Sequence, residues 1–144
     1  LLVGDRDVLL CFSSKTGEVS TIAPGVHALS NHTLDEPWPK VQKAKSALEE
    51  ALRAKVPGEA RQSLIYELLS STKPAPDTAL PDTGVGIEWE RRLSPVMIVG
   101  EQYGTRCSTF VSLDAADNWQ FCEWTRNPAG VVTHTVELSF ASAG

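Results

Sequence analysis

Short apolar runs separated by turn-forming residues occupy both ends of the chain, and a helical period occupies the middle. Residues 1–3 and 8–12 are apolar runs flanking Gly4-Asp5-Arg6-Asp7, a cluster that predicts a hairpin or tight bend. The polar stretch 13–17 leads to a run at 19–22, and Pro24-Gly25 punctuates before Val26-His27-Ala28-Leu29. The first thirty residues therefore read as a β-meander. From Pro39 the period changes: Val41, Ala44, Leu48, Ala51 and Leu52 recur at steps of three and four between Lys, Gln and Glu. That pattern predicts an amphipathic helix with proline in its first turn and Pro57-Gly58 as its stop. Leu64, Ile65, Leu68 and Leu69 mark a second helix over residues 59–70. Residues 73–86 are rich in proline and glycine and poor in bulky apolar residues, so they read as a long loop, of the kind that tends to carry function. The remainder returns to strands at 95–99, 105–113, 119–125 and 131–141, rich in β-branched and aromatic residues. Strands, two helices, a long loop and strands again predict an α+β fold with helices layered on antiparallel sheet.

Composition narrows the partners more than the fold. The chain has 144 residues, with 13 Lys plus Arg against 18 Asp plus Glu, a formal charge of −5. It contains no basic block, which argues against a phosphate-backbone partner and so against nucleic acid. No apolar run approaches the roughly 18 residues that a membrane span requires, and no signal peptide is visible. Three widely separated cysteines, Cys11, Cys107 and Cys122, suggest neither a disulfide framework nor a zinc site. Free thiols and a cytoplasmic location are the expectation, with no metal and no cofactor.

Asp82-Thr83-Gly84 is the tripeptide of aspartic proteases, whose chemistry needs two facing carboxylates; a single copy in a proline-rich loop reads as a turn. His27 and His32 share no evident face with Cys11 or Asp35 as metal ligands. His134 alternates with Val132, Val136, Leu138 and Phe140, which predicts a partly buried, hydrogen-bonded histidine. Two segments stand apart because polar, aromatic and proline residues crowd at element junctions: 29–40, and Tyr103-Gly104-Thr105-Arg106-Cys107-Ser108-Thr109. In them, Asn31 offers an amide N–H suited to a developing oxyanion, and Arg106 offers a planar fork for a carboxylate.

Taken in order, Leu1-Leu2-Val3-Gly4-Asp5, Ala23-Pro24-Gly25-Val26, Leu29-Ser30-Asn31, Leu34-Asp35, Pro37-Trp38-Pro39-Lys40-Val41, Leu80-Pro81-Asp82-Thr83-Gly84-Val85 and the Tyr103 to Thr109 segment resemble the NRDE family. That family is also called the transport and Golgi organisation protein 2 family. The resemblance covers most of the chain and implies that it is the C-terminal part of a single NRDE-type domain spanning 1–144. It accounts for Asp-Thr-Gly as a loop motif. It further implies the αββα sandwich of antiparallel sheets found in N-terminal-nucleophile hydrolases, incomplete in this chain. In those enzymes an N-terminal Cys, Ser or Thr attacks with its own α-amino group as base. The family pattern begins with Met-Cys followed by Asn-Arg-Asp-Glu, and this sequence holds neither. A missing N-terminal segment of the same protein is thus an expected partner, beside a small-molecule substrate or ligand.

Carried over by motif context, Asn31 is similar to the oxyanion-hole asparagine of cysteine N-terminal hydrolases that cleave amides, and Arg106 to their late active-site arginine. The resemblance implies C–N amide hydrolysis, with Trp38 and His32 as substrate contacts. It also implies two rivals, since eukaryotic members are linked to haem mobilisation and to secretory-pathway organisation. One is a non-catalytic carrier of haem or another hydrophobic molecule, contacting it through Trp38, His27 or His32; the other is a trafficking scaffold.

Overall fold

A computed structural model describes residues 1–141. The chain forms, in order, β1 (Leu2–Gly4), β2 (Leu9–Phe12), β3 (Val19–Thr21), α1 (Pro39–Arg53), α2 (Gly58–Leu69), α3 (Ile87–Leu93), β4 (Cys107–Leu113), β5 (Asn118–Arg126) and β6 (Val132–Ala141). The strands make two antiparallel three-stranded sheets, ordered β1-β2-β3 and β4-β5-β6. The fold is α+β, as the sequence pattern predicts, and neither sheet closes into a barrel: β1, β3, β4 and β6 are all outer strands.

Local chemistry explains most boundaries. The β1–β2 turn is held by the Asp5 carboxylate, which accepts from the backbone N–H of Asp7 and of Val8 at 2.9 Å. In the β4–β5 turn the Asp114 carboxylate accepts from Ala116 N–H and from both the backbone and the side-chain amide of Asn118. Helix α1 starts with proline in its first turn, where no intrahelical donor is needed. It ends before the Pro57-Gly58 pair, because Lys55 takes a left-handed conformation (φ 51°). Lys55 N–H then bonds Leu52 C=O and Val56 N–H bonds Ala51 C=O, the paired bonds of a Schellman stop.

Three expectations are corrected. Residues 26–29 form no strand; Leu29 makes an isolated bridge with Leu34. Ala28 spends its N–H on the Asp35 carboxylate and its C=O on Asp35 N–H, which leaves no ladder to extend. Residues 95–99 are likewise irregular. Their backbone donors go singly, Met97 N–H to Ser71 C=O and Ile98 N–H to the Thr105 hydroxyl. His134 is exposed rather than partly buried. A bulge at Thr125/Arg126 pairs Arg126 with Val132 while Thr125 pairs with His134, so Val132 turns to the core and His134 away from it.

The core lies between α2 and the second sheet. Phe110, Cys122 and Trp124 are buried there against Ile65, Tyr66, Leu69 and Val132. Tyr66 and Trp124 meet at a tilt with ring centroids 4.9 Å apart. Arg126, 5% exposed, closes the edge of this core: it donates to the Ser70 hydroxyl at 2.7 Å and to Gly130 C=O at 3.1 Å. All three cysteines are free; Cys11 and Cys122 are buried and Cys107 is exposed. Burial, with the Glu137 carboxylate beside it, pushes the Cys122 thiol up from its ordinary pKa. Among the described residues no helix is long and apolar enough to cross a membrane.

Candidate functional site

At the start of α1 the chain encloses a cavity of about 230 Å³. Its walls come from four places: Asn31 in the turn after residue 29; Trp38, Pro39 and Lys40 at the head of α1; Pro81, Thr83 and Val85 in the long loop; and α3 with the segment after it, through Glu90, Leu93, Ser94, Ile98 and Tyr103. The lining is mainly apolar with a few polar groups, the usual make-up of a small-molecule site.

The Asp-Thr-Gly tripeptide shapes one wall. Asp82 accepts from Gly84 N–H and holds its own turn, and Gly84 and Gly86 both sit at positive φ (85° and 84°), where a side chain would be strained. The turn delivers Thr83 to Glu90, whose Oε1 accepts from Thr83 N–H at 2.8 Å and from its hydroxyl at 2.6 Å. Glu90 is only 5% exposed. Across the cavity Lys40 donates from Nζ to Leu93 C=O at 2.9 Å and lies 5.9 Å from the centre of the Trp38 ring. Its partial burial pulls the ammonium below the ordinary lysine pKa, against an opposing pull from the Glu90 carboxylate.

The residues singled out from the sequence divide around this cavity. Asn31 and Trp38 line it, and the Asn31 side chain has no hydrogen-bond partner among the described residues. His32 stands behind Trp38, with ring centroids 5.7 Å apart. Its Nδ1 lies 3.0 Å from Glu36 Oε2 and its Nε2 contacts Lys15. The Thr33 hydroxyl, first, and then His32 hold the Glu36 carboxyl below its usual range. His32 and Asn31 together face a second, more polar cleft of about 590 Å³, which also takes in Cys11, Ser13 and Lys15. Arg106 is exposed and outside the lining of the first cavity. Its guanidinium donates to the carbonyls of Gly100, at 2.8 Å, and Glu101, so it braces the loop that carries Tyr103 into the wall. A Cβ at Gly104 would stand 2.8 Å from the Ile98 carbonyl oxygen, a backbone atom that cannot swing aside, which makes glycine necessary where the loop closes on residue 98.

His27 belongs to a separate tether below the site. Its Nδ1 lies 2.6 Å from Asp35 Oδ2, and Lys45 donates to Asp35 Oδ1 at 2.8 Å. Lys45, His27 and the Ala28 N–H, in that order, hold the Asp35 carboxyl far below the usual carboxylate range. No group of three or more His, Cys, Asp or Glu side chains converges as a metal site among the described residues.

The family model for Transport and Golgi organisation 2 matches residues 1–128, a span that contains every residue of the cavity. The chain belongs to that family. It is 26% identical over 133 residues to the Transport and Golgi organization protein 2 homolog of Bos taurus, an alignment covering 85% of this chain and 47% of the relative. It is 27% identical over 126 residues to the Transport and Golgi organization 2 homolog of Mus musculus, covering 80% and 44%. The chain thus spans somewhat under half the length of these curated relatives.

Sequence reasoning missed Lys40, Thr83, Glu90 and Tyr103 as site residues. Lys40, Thr83 and Tyr103 stand inside the three family motifs that also carry Trp38, Asp82 and Arg106, so position within a motif was an available signal. Glu90 sits in no motif, and only the fold brings it to Thr83.

Proposed function

We propose that this chain forms the small-molecule pocket of a Transport and Golgi organisation 2 protein, and that the pocket takes a small amphipathic ligand with an amide head. The observation that supports this reading is the cavity itself. Trp38, Pro39, Pro81, Val85, Leu93 and Ile98 offer apolar wall for a hydrocarbon body, and the Asn31 amide stands at that wall with no protein partner. Amide recognition fits the relation to C–N hydrolases; binding alone fits a carrier. Asn31 serves either role, as oxyanion donor or as an anchor for the ligand carbonyl, and Arg106 acts as a positioning residue through the 100–104 loop. Hydrolysis requires a nucleophile from elsewhere in the protein. The two aliphatic hydroxyls in the wall are engaged, Thr83 with Glu90 and Ser94 with the Arg91 carbonyl. Haem fits less well: His27 and His32 face carboxylates, His134 is exposed on β6, and none of the three lines the cavity. A cytoplasmic site of action is part of the proposal.

The test is ligand-observed NMR on the full-length protein with N-isobutylacetamide, while free acetate is monitored in the same sample. Saturable binding that disappears in Val85→Trp, a change in a half-exposed loop residue that fills the cavity, supports the pocket. Binding that survives Val85→Trp overturns it. Asn31→Ala is expected to weaken binding about fivefold, as for one neutral hydrogen bond. If acetate is released, the same change should slow release by about 10²- to 10³-fold.

A further inference from the structure

Glu90 and Lys40 are the two charged side chains of the cavity, and the protein holds them apart. They form no ion pair with each other: Lys40 is tied to the Leu93 carbonyl and Glu90 to Thr83. Opposite charges that face one partly apolar space without touching have lost water and gained only an attraction across the gap, so a polar group that bridges them is favoured. The Glu90 carboxylate is also half used. Both Thr83 donors go to Oε1, whereas Oε2 accepts nothing among the described residues. Nor is Oε2 a sealed orphan, since among the described residues the fully buried polar side-chain atoms without partners are Nε of Arg61 and of Arg126. Glu90 is one of the residues that line the cavity, which leaves this oxygen available to a ligand there. Lys40 spends one of its three N–H bonds on Leu93 and keeps two.

We infer that Lys40 and Glu90 are the specificity-determining pair of this pocket and read a secondary amide, Lys40 donating to the ligand carbonyl and Glu90 Oε2 accepting from the ligand N–H. The inference rests on the pocket reading proposed above and adds the group that is recognised. A neutral amide carries its acceptor and its donor on opposite sides and sets each against the complementary charge without adding net charge. A zwitterion matches the same signs but must shed the hydration of two full charges to enter. An ester of the same shape offers the carbonyl and replaces N–H by an oxygen lone pair, which would face the Glu90 carboxylate unpaired. Discrimination by a polar group left without its partner is steeper than discrimination by shape.

The experiment compares N-isobutylacetamide with isobutyl acetate, matched in shape and differing in NH against O, on full-length protein by ligand-observed NMR. Wild type is expected to prefer the amide by about tenfold or more, the order of one charge-assisted hydrogen bond. Glu90→Gln keeps an acceptor for Thr83 and should bring the preference to within about twofold. Lys40→Met keeps the aliphatic stem and should weaken amide and ester alike, since both present the carbonyl. Equal binding of the two compounds to wild type leaves the pocket standing and overturns the pair, and this readout needs no variant to fold. Persistence of the full preference in Glu90→Gln, or unchanged binding in Lys40→Met, also overturns it. Binding of neither compound by wild type overturns the pocket reading and this inference together.

Discussion

Asp35 shows how much one side chain organises around the site. It sits at φ 59°, where aspartate is among the few tolerated residues, and its carboxylate gathers Lys45, His27 and the Ala28 N–H in one place. This fixes the chain between the first sheet and α1, and so fixes the segment that presents Asn31 and Trp38. The folded carboxyl titrates far below its ordinary range while the unfolded one titrates near pH 4. The tether therefore stabilises at neutral pH in full, and its contribution is lost as the pH falls below about 4 toward the folded value. Asp35→Asn tolerates the same backbone and should cost about 1–2 kcal/mol at pH 7, with the side chain 29% exposed and its ion pairs partly screened. Urea unfolding of both proteins from pH 7 to pH 2.5 checks this: the two stabilities should converge below pH 4, and a constant gap would contradict the assignment.

At the level of elements, α2 packs on the second sheet over a buried apolar cluster of Phe110, Cys122 and Trp124. Trp124→Ala removes a ring that is 8% exposed and packed on Tyr66, so it should cost about 3–5 kcal/mol in urea unfolding. It should also loosen Arg126, whose guanidinium lies 5.3 Å from the Tyr66 ring centre. These elements were legible because the period of α1 and α2 marks an apolar face, and because β4 to β6 are rich in β-branched and aromatic residues between turn formers. Helix α3 was not. Ile87, Trp89 and Leu93 supply a single four-residue step, from Trp89 to Leu93, Ile87 and Trp89 are about half exposed, and the residue it buries is Glu90. A helix whose inward residue is a carboxylate bonded to the loop just before it leaves no hydropathic trace. The same holds for residues 26–29 and 95–99, which are apolar enough for strands but donate their backbone bonds to Asp35, Ser71 and Thr105. Half the candidate site was legible for a related reason: Asn31 and Trp38 lie in a segment of unusual composition, whereas the role of Arg106 as a brace depends on where the 100–104 loop passes.

Across the whole molecule, the second sheet is apolar on both faces. One face packs on α2. The other aligns Val111 with Phe121, Phe121 with Leu138, and Trp119 with Phe140, whose rings stack at 6.1 Å. Val111, Leu138 and Phe140 are each more than half exposed. Half-solvated antiparallel sheets carry polar residues on the outer side, so a face of this character is expected to lie beneath another layer in the whole protein. In an αββα sandwich that layer is a facing sheet, and the relatives of this chain are more than twice as long as the part it aligns with. Val111→Thr tests the point in full-length protein, because threonine matches valine in shape and in preference for strands and differs by a hydroxyl. Under a covering sheet the hydroxyl is left without water, and the cost should be about 1–2 kcal/mol in urea unfolding. On a face open to solvent the same change should fall within about 0.5 kcal/mol of wild type, which would count against the sandwich.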